Sequence, residues 1–340
     1  MEQIKAPLLA FLEKQGLTFI WGQVQFVDKN TLNIEEQKIT AKNIIIATGA
    51  SPKSILTHPK VVFAKDLFDQ ETLPDKLLIL GGGYIGMELV SLFNNLGKAA
   101  HVVEKESQIL LSFERSLVKR LRIILEKKEI KIQTGKDAHE ANLDEFDLVV
   151  SALGNAPNTT GLKLESIGLA TNEEGWIKTD SFMRTNIENI YACGDVTGKK
   201  LLAYVAEYQA HICISNIIGQ KTQEDYHGLA ECVFSQPAMA QVGMLEDQAK
   251  DRGIKYKVVQ SNFLRYSAPY VYNDRDGFIK IIFDENDRII GAGIISQSAA
   301  ELINMLSLAI KNNLKLADLK KCVFIHPTLS EIIPLLLNSA

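Results

Sequence analysis

The clearest pattern of apolar and polar positions predicts a strand, a tight turn and a helix over residues 76–96. Residues 76–80 form an apolar run, and the chain then carries Gly81, Gly82 and Gly83. Beyond the glycines, apolar positions recur at helical spacing; they are Leu89, Leu92, Phe93 and Leu96. Gly97 follows the last of these, where a glycine commonly ends a helix.

The same alternation continues downstream. Residues 99–103 predict a buried strand that ends at Glu104, residues 114–127 a helix with one apolar face, and residues 130–133 and 147–154 two further strands. Strand, helix, strand, helix, strand is the order of a doubly wound parallel sheet. The sequence therefore predicts an α/β unit at the centre of the chain.

The flanking regions differ from this unit. Residues 17–48 predict short strands, residues 190–195 an apolar strand that runs into a helix ending at Gly219, and residues from 231 onward strands mixed with helices. Residues 220–226 form the expected linker. We expect three domains: a first made of residues 1–74 and 180–219, a second of residues 75–179 inserted in it, and a third, α+β domain of residues 227–340.

The glycine turn is typical of a dinucleotide site. Gly81 permits the tight turn, Gly83 lets backbone N–H groups approach a pyrophosphate, and Gly86 lets the helix lie close to the strand. The N-terminus of the helix then faces the phosphates. Glu104 follows Gly81 by 23 residues and can accept hydrogen bonds from a ribose, which favours NAD over NADP. A glycine turn without a ligand is the alternative interpretation.

Composition excludes several classes of protein. The 340 residues carry a net charge of −4 and 46% hydrophobic residues, so we expect no nucleic-acid partner. No apolar run approaches ~18 residues, so we expect no membrane span. Residues 1–15 predict an amphipathic helix without the features of a secretory signal, and we expect a cytoplasmic protein.

The four cysteines are too far apart in the sequence for a CxxC pair or a zinc site, and we expect no metal. Cys193 and Cys213 lie in apolar stretches, which favours buried free thiols.

Five motifs occur in one order: residues 44–49 (IIIATG), 81–88 (GGGYIGME), 152–158 (ALGNAPN), 191–195 (YACGD) and 326–331 (HPTLSE). Together they resemble the pyridine nucleotide-disulfide oxidoreductases, and among these the dihydrolipoamide dehydrogenases. The resemblance implies an NAD-binding domain inserted in an FAD-type domain, followed by a dimerisation domain, with NAD and FAD as cofactors. It implies hydride transfer between NAD(H), FAD and a disulfide.

The resemblance also assigns residues. Tyr84 and Glu88 are similar to residues around the nicotinamide, although they could also be an ordinary helix face, and Ile85 is implied to contact cofactor. Asp195 is similar to the carboxylate that binds the flavin ribityl chain; a turn aspartate that caps a helix is the alternative. The further positions implied to contact cofactor are Thr48, Gly49, Gly154, Gly194, Leu202 and Ala203.

His326 and Glu331 resemble the acid/base pair that reaches the disulfide of the other subunit in a homodimer. Histidine can gain or lose a proton near neutral pH, and a carboxylate on one ring nitrogen fixes its tautomer. A structural His-Pro turn is the alternative interpretation.

Family members begin with an FAD-binding βαβ unit and a CxxxxC redox pair, and the resemblance starts after both. We therefore expect a truncated form or one piece of a split enzyme, with a separate polypeptide able to supply that segment. We also expect residues 44–47 to have an unpaired strand edge. The alternative is a non-catalytic NAD-binding homodimer.

Overall fold

The fold was analysed on a computed structural model that describes residues 2–53 and 56–338, with the side chains of residues 2–6 and 8 outside the description. The helices are α1 Glu2–Lys14, α2 Tyr84–Asn95, α3 Arg115–Lys127, α4 Ala203–Ile217, α5 Glu246–Asp251, α6 Ala268–Val271, α7 Ala299–Lys311, α8 Leu316–Lys320 and α9 Ile332–Leu337. The strands are β1 Val24–Phe26, β2 Thr31–Ile34, β3 Gln37–Thr40, β4 Ile44–Ile46, β5 Ala50–Pro52, β6 Val61–Phe63, β7 Lys76–Leu80, β8 Ala99–Glu104, β9 Lys131–Thr134, β10 Leu148–Ser151, β11 Asn155–Pro157, β12 Ile190–Ala192, β13 Ala230–Val233, β14 Ala238–Gly243, β15 Tyr256–Asn262, β16 Phe278–Asp284 and β17 Ile289–Ser296.

The chain divides into two compact units. Unit 1 consists of residues 1–51 and 155–225. It contains an antiparallel meander in the order β1-β2-β3 and a parallel pair formed by β4 and β12. Its main core joins Phe26, Ile44 and Ile46 to residues of the 162–196 segment. Both halves of the unit are thus needed for one core.

Unit 2 consists of residues 52–154 and 226–340 and contains two five-stranded sheets. The first is parallel, in the order β6-β10-β7-β8-β9, and α2 and α3 cover one of its faces. The second is antiparallel, in the order β13-β14-β17-β16-β15, with α7 against it. Val233, Met239 and Ile295 of the second sheet belong to the same core as α2 and α3. The two sheets of unit 2 therefore share apolar packing.

A buried ionic cluster joins the same two parts of unit 2. Lys280 of β16 is 2% exposed and forms ion pairs with Glu114, at 2.7 Å, and with Glu246. The backbone N–H of Glu114 donates to the side chain of Gln241, and the N–H of Glu246 donates to Glu114 Oε2, both at 2.9 Å. Residues from α3, β14, β16 and α5 are fixed to one another in this way.

The predicted α/β class is confirmed, and the central elements lie within one residue of their predicted limits, except that the strand predicted over residues 147–154 ends at Ser151. The strand β14 was not predicted, because five of its six residues are buried and its sequence has no alternation. Helix α1 is present. Phe11, on the side that the sequence predicts to be apolar, is 57% exposed. The side chains of Ile4 and Leu8, on the same predicted side, are not among those that the structure describes. In the part of the chain that the structure describes, β4 pairs on one side with β12.

The three predicted domains remain a prediction. Residues 75–154 of the predicted NAD-binding domain lie with the predicted dimerisation domain in unit 2, whereas its residues 155–179 lie in unit 1. Of the predicted FAD-type domain, residues 1–51 and 180–219 lie in unit 1 and residues 52–74 in unit 2.

Candidate functional site

The glycine turn between β7 and α2 has room for glycine alone at two positions. Gly81 has φ +106°, and a Cβ there would lie 2.4 Å from the carbonyl oxygen of Ala152. A Cβ at Gly86 would lie 1.9 Å from the carbonyl oxygen of Gly81. Gly83, which precedes α2, has open space where a Cβ would be. The turn is thus closely packed on its sheet side and open at the helix N-terminus, which is the arrangement that a pyrophosphate requires.

Glu104 ends β8 beside this turn and holds it in place. Its Oε2 accepts a hydrogen bond from the Gly82 N–H at 2.6 Å, and its Oε1 accepts from the Glu106 N–H at 2.8 Å. The sequence predicts the position of this carboxylate but not its bonds to the turn. Each carboxylate oxygen can accept a further hydrogen bond, so the observed contacts leave capacity for a ribose hydroxyl.

The first two turns of α2 carry Tyr84 and Glu88, which the resemblance assigns to the nicotinamide, and Ile85. Tyr84 is half-buried and packs edge-to-face on Phe113, with ring centroids 5.3 Å apart. Ile85 is 42% exposed. Glu88 Oε1 accepts a hydrogen bond from the backbone N–H of Phe234 at 3.0 Å. Glu88 therefore also ties α2 to the end of β13, a role that the sequence does not reveal.

In unit 1, a short 3-10 turn follows β12. Gly194 has φ +74°, and its N–H donates to the buried side chain of Gln209 at 2.7 Å. Thr197 Oγ1 donates to the Gly194 carbonyl at 2.9 Å. Asp195 is half-buried on this turn, and burial raises the pKa of its carboxyl. Gln209 is a residue that sequence reasoning missed; it supports the turn from α4.

The other cofactor positions lie at turns and at a helix start. Leu202 precedes α4 and Ala203 begins it, with no side chain capping the first turn. The carbonyls of Thr48 and Gly49 accept hydrogen bonds from Asn158, at 2.9 and 3.0 Å. In unit 2, the Gly154 carbonyl accepts from the Lys53 N–H at 3.0 Å. The structure thus places each of these residues in a loop beside a strand or at a helix start, and gives several of them a structural hydrogen bond.

His326 and Glu331 are in direct contact. His326 Nδ1 lies 2.8 Å from Glu331 Oε2, while the histidine side chain is 70% exposed and the glutamate side chain is 9% exposed. Glu331 Oε1 is buried and has no hydrogen-bond partner among the described residues. The hydroxyl of Tyr272 donates to the Pro327 carbonyl at 3.2 Å and steadies the segment. The pair presents an oriented imidazole at the surface.

The residues present fit two nucleotide cofactors to different degrees. The open N-terminus of α2, the crowded glycines and Glu104 have the geometry and the acceptor that the phosphates and ribose of NAD(H) require. Asp195 and the start of α4, which the side chain of Leu202 does not cap, match one end of a flavin site only. Among residues 2–53 and 56–338, no group of three or more potential ligand side chains could hold a metal ion.

Comparison with known sequences agrees with this geometry. The sequence pattern of the pyridine nucleotide-disulphide oxidoreductases matches residues 2–210, and that of the dimerisation domain of these enzymes matches residues 229–336. The chain belongs to this family.

The relatives include dihydrolipoyl dehydrogenases. The enzyme of Chlamydia trachomatis is 32% identical over 98% of this chain and 76% of its own length. That of Geobacillus stearothermophilus is 33% identical over the same shares. The chain is thus part of a dihydrolipoamide dehydrogenase-like group of flavoprotein disulfide oxidoreductases, and it carries the dimerisation domain of that group.

Solved structures give the same fold. The HOCl-induced flavoprotein disulfide reductase RclA of Escherichia coli superposes with a TM-score of 0.86 at 27% identity, over 99% of this chain and 84% of RclA. LpdA of Mycobacterium tuberculosis superposes at 0.89 with 23% identity, over 98% and 80%, which shows the fold alone. None of the described helices is long and apolar enough to cross a membrane.

Proposed function

We propose that these residues provide the NAD(H) site and the acid/base pair of an FAD-dependent disulfide oxidoreductase of the dihydrolipoamide dehydrogenase type. The observation that carries the proposal is the contact between His326 Nδ1 and the buried carboxylate of Glu331. A structural histidine would have its ring buried, whereas this ring is held at one nitrogen and exposed.

The turn that follows β7 binds and orients the dinucleotide. Backbone N–H groups at the start of α2 face the pyrophosphate, and Glu104 receives the ribose while it holds the Gly82 N–H. Tyr84 and Glu88 lie on the first turns of α2, where they bound the nicotinamide position. Bound NADH supplies the hydride, and the protein supplies its orientation.

His326 holds and moves a proton at Nε2. Glu331 accepts at Nδ1, so the outward nitrogen Nε2 is the one free to exchange a proton with a thiol. The unpartnered Oε1 of Glu331 and the exposed side chains of Val323 (99%) and Ile325 (77%) indicate a surface that a second copy of the chain covers. A homodimer built by the domain from residue 227 onward follows.

The thiol pair itself would come from a segment outside these residues, on the same polypeptide or on another. No two of the four cysteines are five positions apart, so the 340 residues hold no CxxxxC pair. The FAD contact at Asp195 is also insufficient alone: a charged hydrogen bond contributes about 1.5–3 kcal/mol, whereas micromolar binding needs about 8 kcal/mol.

The second candidate is a non-catalytic NAD-binding homodimer. The same cysteine spacing favours it, because the exposed cysteine, Cys322, has no second thiol within four residues of it in the sequence. The two candidates differ in what a complementary segment does.

The experiment adds a separately produced segment that carries an FAD fingerprint and a CxxxxC pair to the 340-residue chain, with NADH and lipoamide. Restored reductase activity and a flavin spectrum that co-elutes on gel filtration support the enzyme. The variant His326→Gln should then lose turnover while keeping flavin. Flavin uptake without turnover in the unmodified chain supports the non-catalytic dimer, and turnover without any added segment overturns the account of the missing thiol pair.

A further inference from the structure

Among the described residues, the core on one face of the parallel sheet of unit 2 includes no residue of an α-helix. Leu77, Ile79 and Val102 face α2 and α3, whereas Leu78 and Val103 face the opposite side. That side is crossed by the connection from β9 back to β10, which forms only two three-residue 3-10 turns, Ala138–Glu140 and Leu143–Glu145. Because open α/β sheets normally carry helices on both faces, this short connection leaves space on the sheet.

The space is a cavity of about 330 Å³, a volume in the range of small-molecule sites. Its apolar floor includes Leu78 and Val103, and the rings of His101 and Phe146 form one side. The two rings meet edge-to-face, with centroids 5.1 Å apart at 83°. The cavity therefore offers a flat apolar body several carbon contacts.

The rim of the cavity is positively charged. Lys131 and Lys136 both line it, and in the described part of the chain neither makes an ion pair or a side-chain hydrogen bond. The single acid in the lining, Glu145, accepts a hydrogen bond from the side chain of Asn142 at 2.8 Å. Two cations against one acid leave a net positive charge at the opening.

His101 responds to this charge. Burial lowers the pKa of His101 most, the charges of Lys131 and Lys76 lower it further, and Glu145 opposes them. The imidazole is therefore uncharged at neutral pH and can donate or accept a hydrogen bond. It also reports the local potential, because an anion placed beside it would reverse the effect of the lysines.

We propose that this cavity binds a small organic anion, with an apolar body against Leu78, Val103 and the two rings, and with a carboxylate or phosphate at Lys131 and Lys136. The site lies on the sheet face opposite α2 and α3. Lys131 opens β9 and His101 is the third residue of β8, whereas dinucleotides bind at the carboxyl ends of such strands. Lys136 lies beyond the carboxyl end of β9, where its backbone N–H donates to the Glu104 carbonyl at 3.1 Å.

The test titrates the full chain with phenyl phosphate, benzoate, inorganic phosphate and neutral phenol, by calorimetry and by NMR of the histidine ring protons. We expect phenyl phosphate or benzoate to bind at one site with a Kd of about 0.1–1 mM, and phenol and inorganic phosphate to bind at least about tenfold more weakly. The stronger of the two aromatic anions identifies the charged group. Binding should raise the pKa of His101.

The variants Lys131→Gln and Lys136→Gln should each weaken binding about five- to tenfold. Lys119→Gln removes an exposed lysine of α3, which packs on the other face of the sheet, and should leave affinity unchanged. Saturating NADH should not displace the anion. No saturable binding, equal binding by the Lys131→Gln/Lys136→Gln double variant, or displacement by NADH would each overturn the proposal.

Discussion

The two nucleotide-type turns of this chain differ in how much structure supports them. The turn at Gly81 follows the middle strand of a five-stranded sheet and shares a core with a second sheet in unit 2. The turn at Gly194 follows β12, which in the described part of unit 1 pairs with the strand β4 on one side and has a single bridge, from Tyr191 to Arg184, on the other. A sequence motif therefore does not show how completely its site is supported. The number of strands that pair behind the turn shows this.

The difference has a physical cause. Each strand added to a sheet pairs backbone groups and buries one more row of side chains, so a central strand holds its turn from both sides. β7 has β10 on one side and β8 on the other. Four measurements test whether the Gly81 turn binds NADH within a stable unit 2 and whether the core of unit 1 is closely packed.

The largest effect is expected at Gly86. Gly86→Val adds a Cβ that would lie 1.9 Å from the carbonyl oxygen of Gly81, so the helix must move away from the strand. We expect loss of NADH binding by at least about 100-fold, which is about 2.7 kcal/mol, together with a lower melting temperature. Fluorescence titration with NADH and thermal unfolding measure both.

Gly83→Ala is the matched variant, because its Cβ meets open space. It should keep the melting temperature and weaken NADH binding alone, since the methyl group lies where the pyrophosphate approaches. A wild-type affinity in both variants would remove the turn from the NADH site and with it the contrast between the two motifs.

Lys280→Met should lower the free energy of unfolding rather than the affinity for NADH. It leaves Glu114 and Glu246 without their shared cation in a buried setting, where removal of one partner costs about 3–5 kcal/mol. Urea unfolding measures the loss. The exposed pair of Lys257 and Asp287 is the control: Lys257→Met should change the free energy of unfolding by less than about 1 kcal/mol.

The pH dependence of that loss has a definite sign. The hydrogen bond from Lys280 lowers the pKa of Glu246, so this contribution to stability is present above pH 4.5 and disappears as the pH falls. Burial alone would lower the pKa of Lys280, but its two carboxylate partners outweigh burial and raise it. That contribution is full below pH 10.5 and is lost above it. A difference between Lys280→Met and the unmodified chain that grows on acidification would contradict this assignment.

The sequence predicts the elements of unit 2 well because periodicity and glycine spacing are local properties. It predicts the location of Glu104 at the end of β8 but not its bond to Gly82, because that bond depends on which strands lie side by side. Gln209 and Glu88 escaped for the same reason: their partners, Gly194 and Phe234, are 15 and 146 residues away along the chain. Contacts between distant segments leave no periodic signal.

The third prediction concerns cofactor choice. Glu104→Gln keeps one acceptor oxygen, which can serve the Gly82 N–H but not also the Glu106 N–H, and it removes the charge that repels a 2′-phosphate. We expect the ratio of NADH to NADPH affinity to fall about tenfold, which is about 1.4 kcal/mol, and the melting temperature to fall because one hydrogen bond is lost. Equal affinities for the two nucleotides in the unmodified chain would show that Glu104 serves the turn alone.

The smallest expected effect is on the number of rapidly reacting thiols, which tests the packing of unit 1. Cys322 is exposed, whereas Cys193 and Cys213 lie in one core cluster of unit 1. In unit 2, burial raises the pKa of Cys232, and the charge of Glu88 raises it further, to about 12. At pH 8 only about one Cys232 side chain in ten thousand is therefore a thiolate. At that pH we expect one rapid reaction with a thiol reagent, which Cys322→Ser removes.

Cys193 makes this count informative about unit 1. A hydrogen bond from Cys213 lowers the pKa of Cys193, which favours the reactive thiolate. Burial, and not a high pKa, therefore protects Cys193 from the thiol reagent. The pKa of Cys213 is raised by the same contact and by burial. If the core behind the Gly194 turn opens readily, Cys193 reacts soon after Cys322, and a second rapid phase appears that Cys193→Ser abolishes. A single rapid phase shows instead that the core of unit 1 is closed to the reagent. The difference between the two turns then lies in the two-stranded sheet behind Gly194 and not in loose packing.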